Sequence, residues 1–441
     1  MNERLAAVLL AAAAAAPAAA IPAPEARSLT VREAVRLALE RAPEIAVAQG
    51  AAAAASAAAE EAGSVRRPQL FVNTTPGYSS GLPLSVAGEV PAAAGASVRM
   101  TLYDAGRRSE ELAARAEATW LEAALVEART DVARRTVAAC AKLRSDTERA
   151  AGARRRLEAR EAIARRERAL FREGRRTELD ADRAALDEAR ARQKLDAALS
   201  DLDLDRHELA RLVGLSPSTP IAVTQDPADV LPAEGTGDAV AAALSRDARY
   251  KALAEEADAL GRSARLLNRT FQPTINAEAR YAFIPRGLGY DKYYLSYKEN
   301  VASLGVSVVV PVFTGGRATA RAAQARARLA HVEAQRRVRE EDLVSEVRSA
   351  EAAAQLLRLE FGLVRRGVSL AEEGLRQAKA LAREGRAEAD AVDRAELALV
   401  DAEDDAARAG RENVEARLRL LALKGELLSA FELEIETPGR P

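Results

Sequence analysis

The feature that most constrains this 441-residue chain is an internal duplication with a spacing of about 210 residues. Four landmarks recur in the same order along the two halves of the sequence. They are 33–39 and 238–244, 103–107 and 313–317, 172–175 and 383–386, and 212–214 and 423–425. A solenoid repeat spans only about 20 to 50 residues, so units of about 200 residues predict two related halves side by side.

The N-terminus has the pattern of an export signal. Arg4 is followed by an apolar run over 5–16 and by an A-x-A cleavage pattern at 18–20, which predicts a secretory signal peptide over 1–20. The run is short and rich in alanine, and prolines follow it, so a transmembrane anchor is disfavoured. The single cysteine, Cys140, lies far from the cleavage site, which leaves no lipid-anchor cysteine there and no structural disulfide.

The composition argues against several classes of function. The 65 basic and 66 acidic residues balance, so nothing indicates a nucleic-acid partner. His207 and His331 lie on helical stretches without a partner at a metal-binding spacing, and no catalytic constellation is present. We therefore expect a protein that is not an enzyme and that holds no cofactor or metal.

Two proline-free spans, 92–216 and 312–437, permit very long helices. We expect one long helix over 107–171 and another over 317–381, each ending at a Glu-Gly-Arg turn. A shorter helix then returns, over 178–213 and 389–423. The helices that open the two repeats, 31–65 and 239–267, would stack end to end with these returning helices.

Four stretches alternate between apolar and polar residues with the period of a β-strand, two in each repeat. They lie near 70–73 and 97–102 in the first repeat, and over 274–283 and 303–312 in the second. The segments that join them, 76–95 and 285–300, are rich in Pro, Gly, Ser and Tyr and are typical of surface loops.

Four strands are too few to close a barrel. Three chains would supply twelve strands, with apolar side chains toward lipid and polar side chains toward water, as in outer-membrane barrels. The alternative is a soluble sheet packed on helices. An open sheet with two unpaired edges is prone to aggregate, which favours the oligomer.

At this point the residues support a family resemblance that covers essentially the whole mature chain. The chain resembles outer-membrane efflux proteins of the TolC family in its opening segment 29–43, its strand exits 102–108 and 310–317, and its turns 173–175 and 384–386. The resemblance implies an α+β, mainly α fold in which duplicated long helical hairpins form a periplasmic α-barrel. It also implies a homotrimer, with four strands per chain in a 12-stranded outer-membrane β-barrel.

The predicted organisation has five parts. A signal peptide (1–20) precedes the first repeat (21–213), a linker (214–237), the second repeat (238–427) and a C-terminal tail (428–441). Each repeat holds a helix, two strands and a long helical hairpin.

The turns at the ends of the hairpins are the first candidate site. In the TolC family these tips contact a periplasmic adaptor, and the resemblance places adaptor docking on Gly174, Arg175, Arg176, Thr177, Gly385, Arg386 and Ala387. The alternative is that these are simple turn residues.

The second candidate site is a periplasmic entrance gate. The family can carry aspartates six and nine residues after the second tip glycine, where this chain has Ala391 and Arg394. Asp390 and Asp393 lie one residue earlier, and Asp180 and Asp182 follow the first tip. We expect Asp390 and Asp393 to form a threefold acidic ring that binds cations. Ordinary solvated carboxylates are the alternative.

The function that the resemblance implies is a passive outer-membrane exit duct of a tripartite efflux system, working with a periplasmic adaptor and an inner-membrane pump. An exit duct for type I protein secretion remains an alternative in the same class. A periplasmic adaptor or coiled-coil scaffold is the alternative in a different class, although it would not explain two hairpins with duplicated strand pairs. The cargo stays open.

Overall fold

The computed structural model describes residues 27–74, 94–216, 219–232, 237–268, 272–283, 298–386 and 390–431. The predicted signal peptide, most of both predicted surface loops, the chain beyond Phe431 and the docking candidate Ala387 lie outside the described residues.

In these ranges the chain is mainly helical, as predicted. The helices are α1 (Val31–Arg41), α2 (Pro43–Ser64), α3 (Ala105–Arg172), α4 (Glu178–Leu212), α5 (Pro227–Val230), α6 (Ala239–Arg246), α7 (Ala248–Leu267), α8 (Arg317–Arg383), α9 (Ala391–Leu423) and α10 (Leu427–Ala430). The strands are β1 (Arg27–Leu29), β2 (Gln69–Asn73), β3 (Ala94–Tyr103), β4 (Ile221–Val223), β5 (Thr274–Phe283) and β6 (Asn300–Val309).

The two long outgoing helices have the predicted extent. Helix α3 has 68 residues and α8 has 67, so each is about 100 Å long at about 1.5 Å per residue. The returning helices α4 and α9 have 35 and 33 residues, about half that length. Each repeat therefore consists of a long helix with a half-length partner.

The prediction of one continuous opening helix per repeat was wrong, because each opening helix is broken in two. In the first repeat Ala42 has an extended ψ of 122°, which the following Pro43 favours by disfavouring the helical conformation of the residue before it. In the second repeat Asp247 has a ψ of 119° and accepts a hydrogen bond of 2.6 Å from the Tyr250 N–H, so it caps α7.

Helices α2 and α4 lie end to end along α3 and run antiparallel to it, as predicted. Arg135 of α3 is 3.5 Å from Glu44 at the start of α2, and Lys142 is 2.6 Å from Asp205 near the end of α4. Helices α7 and α9 line α8 in the same manner. Because α9 and α7 also pack on α3, one chain forms a wall of four helical columns. In order across the wall, these columns are α2 with α4, then α3, then α7 with α9, then α8.

The ends of the stacked helices meet in matching contacts. A Cβ atom built on Gly214 would lie 2.8 Å from Arg41 Cβ, and one built on Gly425 would lie 2.9 Å from Arg246 Cβ. Both glycines have a positive φ, 66° and 65°, which L side chains rarely adopt. The duplicated glycines therefore end α4 and α9 against the opening helices of the same columns.

The largest apolar core lies at this level of the molecule. It joins α1, α3, α4, α9 and α10 with the short parallel pair β1 and β4. Val31, Val35, Val137 and Leu209 are fully buried there. Elsewhere the seams between columns are filled mostly by alanine, which lets the helices approach closely.

The other four strands form one antiparallel sheet in the order β2-β3-β5-β6. Strand β3 of the first repeat pairs directly with β5 of the second, with Val98 opposite Ala279. The predicted alternation is observed over most of the sheet. The alternation fails at Leu102, because the register shifts after Thr101. Ile275 lies opposite Tyr103 and not opposite Leu102.

Candidate functional site

One face of the four-stranded sheet is apolar and largely uncovered in the single chain. The register places Leu70, Val98, Ala279 and Leu304 across it in one row. Exposure of the side chains reaches 84% at Leu304 and 63% at Val306. A continuous exposed apolar surface of this kind indicates contact with lipid or with another protein.

The opposite face of the sheet is polar and internally paired. Arg99 lies directly opposite Glu278, and its Nε donates to Glu278 Oε1 at 3.0 Å. Thr101 Oγ1 donates to Asn276 Oδ1 at 3.1 Å. The Arg99 guanidinium also lies 5.6 Å from the centre of the Phe71 ring. This face has the character of a water-filled interior.

The far ends of the long helices carry two turns of the same geometry. Gly174 and Gly385 have φ of 70° and 69°. The N–H of Arg175 donates to Leu170 O, and the N–H of Arg386 donates to Leu381 O, both at 2.9 Å. These are Schellman helix ends, which need a left-handed residue. The Glu-Gly-Arg repeat is thus explained as a turn, whether or not a partner binds there.

The side chains at both tips are open to solvent. Arg175 and Arg386 are 70% and 72% exposed and contact Glu173 and Glu384, respectively. Arg176 lies 3.3 Å from Glu167, while Thr177 forms the N-cap of α4. The tips therefore offer short charged surfaces next to an uncovered glycine.

The gate candidates Asp390 and Asp393 have different surroundings. Asp393 Oδ2 lies 2.8 Å from Arg166 Nη1 of α3 and its side chain is 20% exposed. This is an ion pair by distance, although its alignment does not qualify as a hydrogen bond. Asp390 is 51% exposed and pairs with Arg394 one turn along α9, at 3.1 Å. Of the two, Asp390 is more accessible to a passing ion.

The first-repeat candidates also differ from each other. Asp180 forms a capping box with Thr177, since its backbone N–H donates to Thr177 Oγ1 and its carboxylate accepts from Thr177 N–H, both at 3.2 Å. The hydrogen bonds from Thr177 lower the pKa of Asp180. Asp182 lies two residues further along α4, about 200° of helix rotation from Asp180, and is exposed. Asp180 therefore has a structural role that was not predicted.

Sequence reasoning missed the ion pairs that join the two repeats along α3 and α9. Arg156 contacts Asp401 at 2.5 Å and Asp404 at 2.9 Å, and Arg155 contacts Glu403. Ser145 Oγ donates to Ala407 O at 3.1 Å in the same seam. Arg166 and Asp393 extend this row toward the tips. No sequence signal could have selected these pairs, because the rotation of each helix was unknown.

No cluster of His, Cys, Asp or Glu in the described part of the chain has the arrangement of a metal site. Burial raises the pKa of the Cys140 thiol to about 12, which leaves it protonated and unreactive. None of the helices in the described part of the chain is both long and apolar enough to cross a membrane.

Residues 239–426 match the family model described as Outer membrane efflux protein. The matched region begins at α6, includes β5 and β6, and ends after α9. It therefore contains the second tip and both gate candidates of the second repeat. No curated protein sequence matches the chain.

Solved structures of membrane proteins share the fold of nearly the whole chain. The outer membrane protein VceC from Vibrio cholerae has a TM-score of 0.69 at 20% identity, covering 90% of this chain and 96% of its own. The open-state MtrE outer membrane channel of Neisseria gonorrhoeae has a TM-score of 0.69 at 19% identity, with coverage of 90% and 89%. A membrane protein from Pseudomonas aeruginosa reaches 0.72 at 20% identity, with coverage of 89% and 92%.

Proposed function

We propose that this chain is an outer membrane efflux protein, as the family match over residues 239–426 supports, and that three copies of it assemble into a passive exit duct that spans the outer membrane and extends into the periplasm. The observation that carries the proposal is the four-stranded sheet, which has one apolar face, one polar face and two open edge strands. A sheet of this kind is completed by copies of itself.

Closure of the sheet would pair β6 of one copy with β2 of the next. Within the described residues each of these strands has a single neighbour, β5 and β3 respectively. Every residue of β6 is exposed in the single chain. Three copies would then form a twelve-stranded barrel with Leu304 and Val306 toward lipid and Arg99 and Glu278 toward the interior.

The helical wall supports the same assembly. Its outer columns are α8 on one side and α2 with α4 on the other. Leu356, Leu359, Leu363 and Leu370 form an apolar stripe on α8 at the spacing of a helix seam, and each is at least 65% exposed. Leu186 and Leu204 of α4 are 50% and 63% exposed. Contact of α8 with the α4 column of the next copy would bury both surfaces in a twelve-column tunnel.

The hairpin tips would lie at the end of the duct farthest from the membrane. Their position, their exposed arginines and their bare glycines support docking of a periplasmic adaptor, through which an inner-membrane pump would deliver cargo. The exposed Asp390 would line the entrance of the closed assembly, and Asp393 would hold the wall together through Arg166. The predicted signal peptide provides the route of export.

Native mass spectrometry of the detergent-extracted outer-membrane fraction tests this proposal. We expect a trimer in that fraction, which conducts ions when it is reconstituted in a planar bilayer. A monomer in the soluble periplasmic fraction would contradict the assembly. Trimers without conductance would contradict the open duct alone.

A further inference from the structure

Two buried aspartates meet between the outgoing and returning helices of the first repeat. Asp146 of α3 and Asp205 of α4 are only 6% and 3% exposed, and each carboxyl group acts directly on the ionisation of the other across the seam. A hydrogen bond between two carboxyl groups requires a proton on one of them, because an ionised carboxylate only accepts. The channel function described above makes no use of this pair.

The basic groups around the pair leave one carboxyl oxygen without a donor. Lys142 Nζ donates to Asp205 Oδ1 at 2.6 Å, and Arg149 Nη1 donates to Asp146 Oδ1 at 2.6 Å. Asp205 Oδ2 is buried, and no donor among the described residues reaches it. An ionised oxygen at this position would be desolvated without compensation, whereas a protonated one needs only an acceptor. Asp146 provides that acceptor.

We propose that Asp205 and Asp146 form a proton-binding site, in which one proton is carried by Asp205 Oδ2 and donated to the Asp146 carboxylate, so that α4 is held on α3 more tightly in mild acid than at neutral or alkaline pH. Loss of the proton leaves two buried carboxylates in contact with each other. Their repulsion is directed across the α3–α4 seam.

Apart from Glu208, the remaining surroundings of the pair add little charge. Glu208 of α4 acts on Lys142, and it raises the local negative charge further. Strand β4, which packs on both helices, contributes only Ile221, Ala222 and Val223. The contact observed from α9 is the hydrogen bond that the Ala407 carbonyl accepts from Ser145. Asp226 of the linker forms an ion pair with Arg144 at 3.3 Å.

The electrostatics agree with this geometry. Burial and the hydrogen bond with Asp146 raise the pKa of Asp205 to about 6, against the opposing effect of Lys142. Burial opposes ionisation of Asp146 as well, but hydrogen bonds from Asp205 and Arg149 outweigh it and lower its pKa. Since the folded pKa of Asp205 exceeds the ordinary value of 3.8, the stabilisation is complete below that pH and is lost as the pH rises through about 6.

The site belongs to the first repeat alone. The positions equivalent to Lys142, Asp146 and Asp205, taken from the matched tip glycines, hold Ala353, Leu357 and Ala416. The second hairpin therefore forms the equivalent contact without a carboxylate at any of these three positions. Replacement of an apolar seam by a buried acid pair confers a dependence on pH that the second hairpin does not share.

Infrared spectroscopy of the purified full-length protein tests the proposal directly. We expect a protonated carboxyl C=O band in mild acid that disappears with a midpoint near pH 6. The isosteric Asp205→Asn variant should lack this band. Asp196→Asn, which alters an exposed carboxylate of the same helix, should retain it. A spectrum in which no band depends on Asp205 would overturn the proposal.

Thermal unfolding supplies a second measurement. The midpoint for the wild type should fall more between pH 5 and pH 8 than the midpoint for Asp205→Asn, because the amide cannot lose a proton in this range. Burial also raises the pKa of Glu127 and Glu256, but both groups are present in both proteins. An equal fall in wild type and variant would overturn the proposal. Neither measurement requires a conducting channel, so failure of the exit-duct proposal would be seen separately.

Discussion

Arg166 on α3 and Asp393 on α9 form an ion pair of 2.8 Å that joins the two repeats near the tips. Their side chains are 30% and 20% exposed, so the pair is partly shielded from solvent. It continues the row of contacts made by Arg155 and Arg156 farther along the same seam. Separation of the two hairpins at the tips would have to break this pair first.

The first prediction is that loss of this pair loosens the entrance of the duct. Asp393→Asn and Arg166→Gln should each raise the single-channel conductance in a planar bilayer, because the hairpins separate more readily. A double-mutant cycle on the free energy of unfolding should give a coupling energy within the range of about 0.5–3 kcal/mol found for residues in contact. Additive effects of the two variants would show that Asp393 does not act through Arg166.

The second prediction separates the two gate aspartates. Asp390 pairs only within α9 in the contacts described here, so Asp390→Asn should leave the conductance close to that of the wild type. It should instead weaken the block that trivalent cations cause from the periplasmic side, since a threefold ring of exposed carboxylates binds them. Asp182→Asn tests the matching candidate on the first hairpin, and we expect the block to be unchanged in that variant. Unchanged block in the Asp390 variant would move the cation site elsewhere.

The gate shows how far sequence could lead. The family resemblance, which the family model supports over residues 239–426, directed attention to the residues after each tip glycine. It did not reveal that Asp393 faces Arg166, because that contact depends on the rotation of two helices that lie far apart in the sequence. The capping of α4 by Asp180 was visible in the Thr-x-x-Asp spacing of residues 177–180, yet it was not predicted. One residue of offset is about 100° of rotation, which is enough to move a carboxylate from the pore to the seam.

The fold was more accessible than the site, and for physical reasons. Proline-free spans and paired glycine turns predicted the two hairpins, because proline interrupts helices and glycine ends them. The break between α1 and α2 was also visible in the sequence, since Pro43 disfavours a helical Ala42, yet it was not predicted. The bulge after Thr101 had no local signal, because Leu102 continues the alternation.

The third prediction concerns the two faces of β6. Val306 and Ser307 are adjacent and point to opposite sides of the sheet, the apolar and the polar one. Val306→Arg should reduce membrane insertion, with a cost of about 2–4 kcal/mol at the bilayer midplane. Ser307→Arg should insert normally. The amount of heat-stable trimer in the outer-membrane fraction measures both, and equal insertion would contradict the assignment of faces.

The fourth prediction concerns the stacked helix ends. Gly214→Ala should destabilise the protein by about 1–2 kcal/mol from its left-handed backbone alone. The new Cβ would also lie 2.8 Å from Arg41 Cβ, which adds to the loss. Gly374→Ala is the control, because Gly374 lies within α8 with open space around it, and alanine favours a helix there. Chemical unfolding midpoints should fall for the first variant and not for the second.

The last prediction distinguishes docking at the tips from a purely structural turn. Gly385 has a φ of 69°, and no atom of the described residues lies within 4 Å of a built Cβ, so Asn, which tolerates this conformation, should keep the turn. If an adaptor packs against the bare glycine, Gly385→Asn should reduce efflux while trimer formation and membrane insertion stay intact. Arg386→Glu should have the same effect, since it reverses the charge of a side chain that is 72% exposed and leaves the turn unchanged. Accumulation of an exported dye in cells that depend on this duct measures the loss, with the corresponding Gly174→Asn and Arg175→Glu variants tested beside them. Normal export in all four variants, with intact trimers, would show that the tips serve only to reverse the chain.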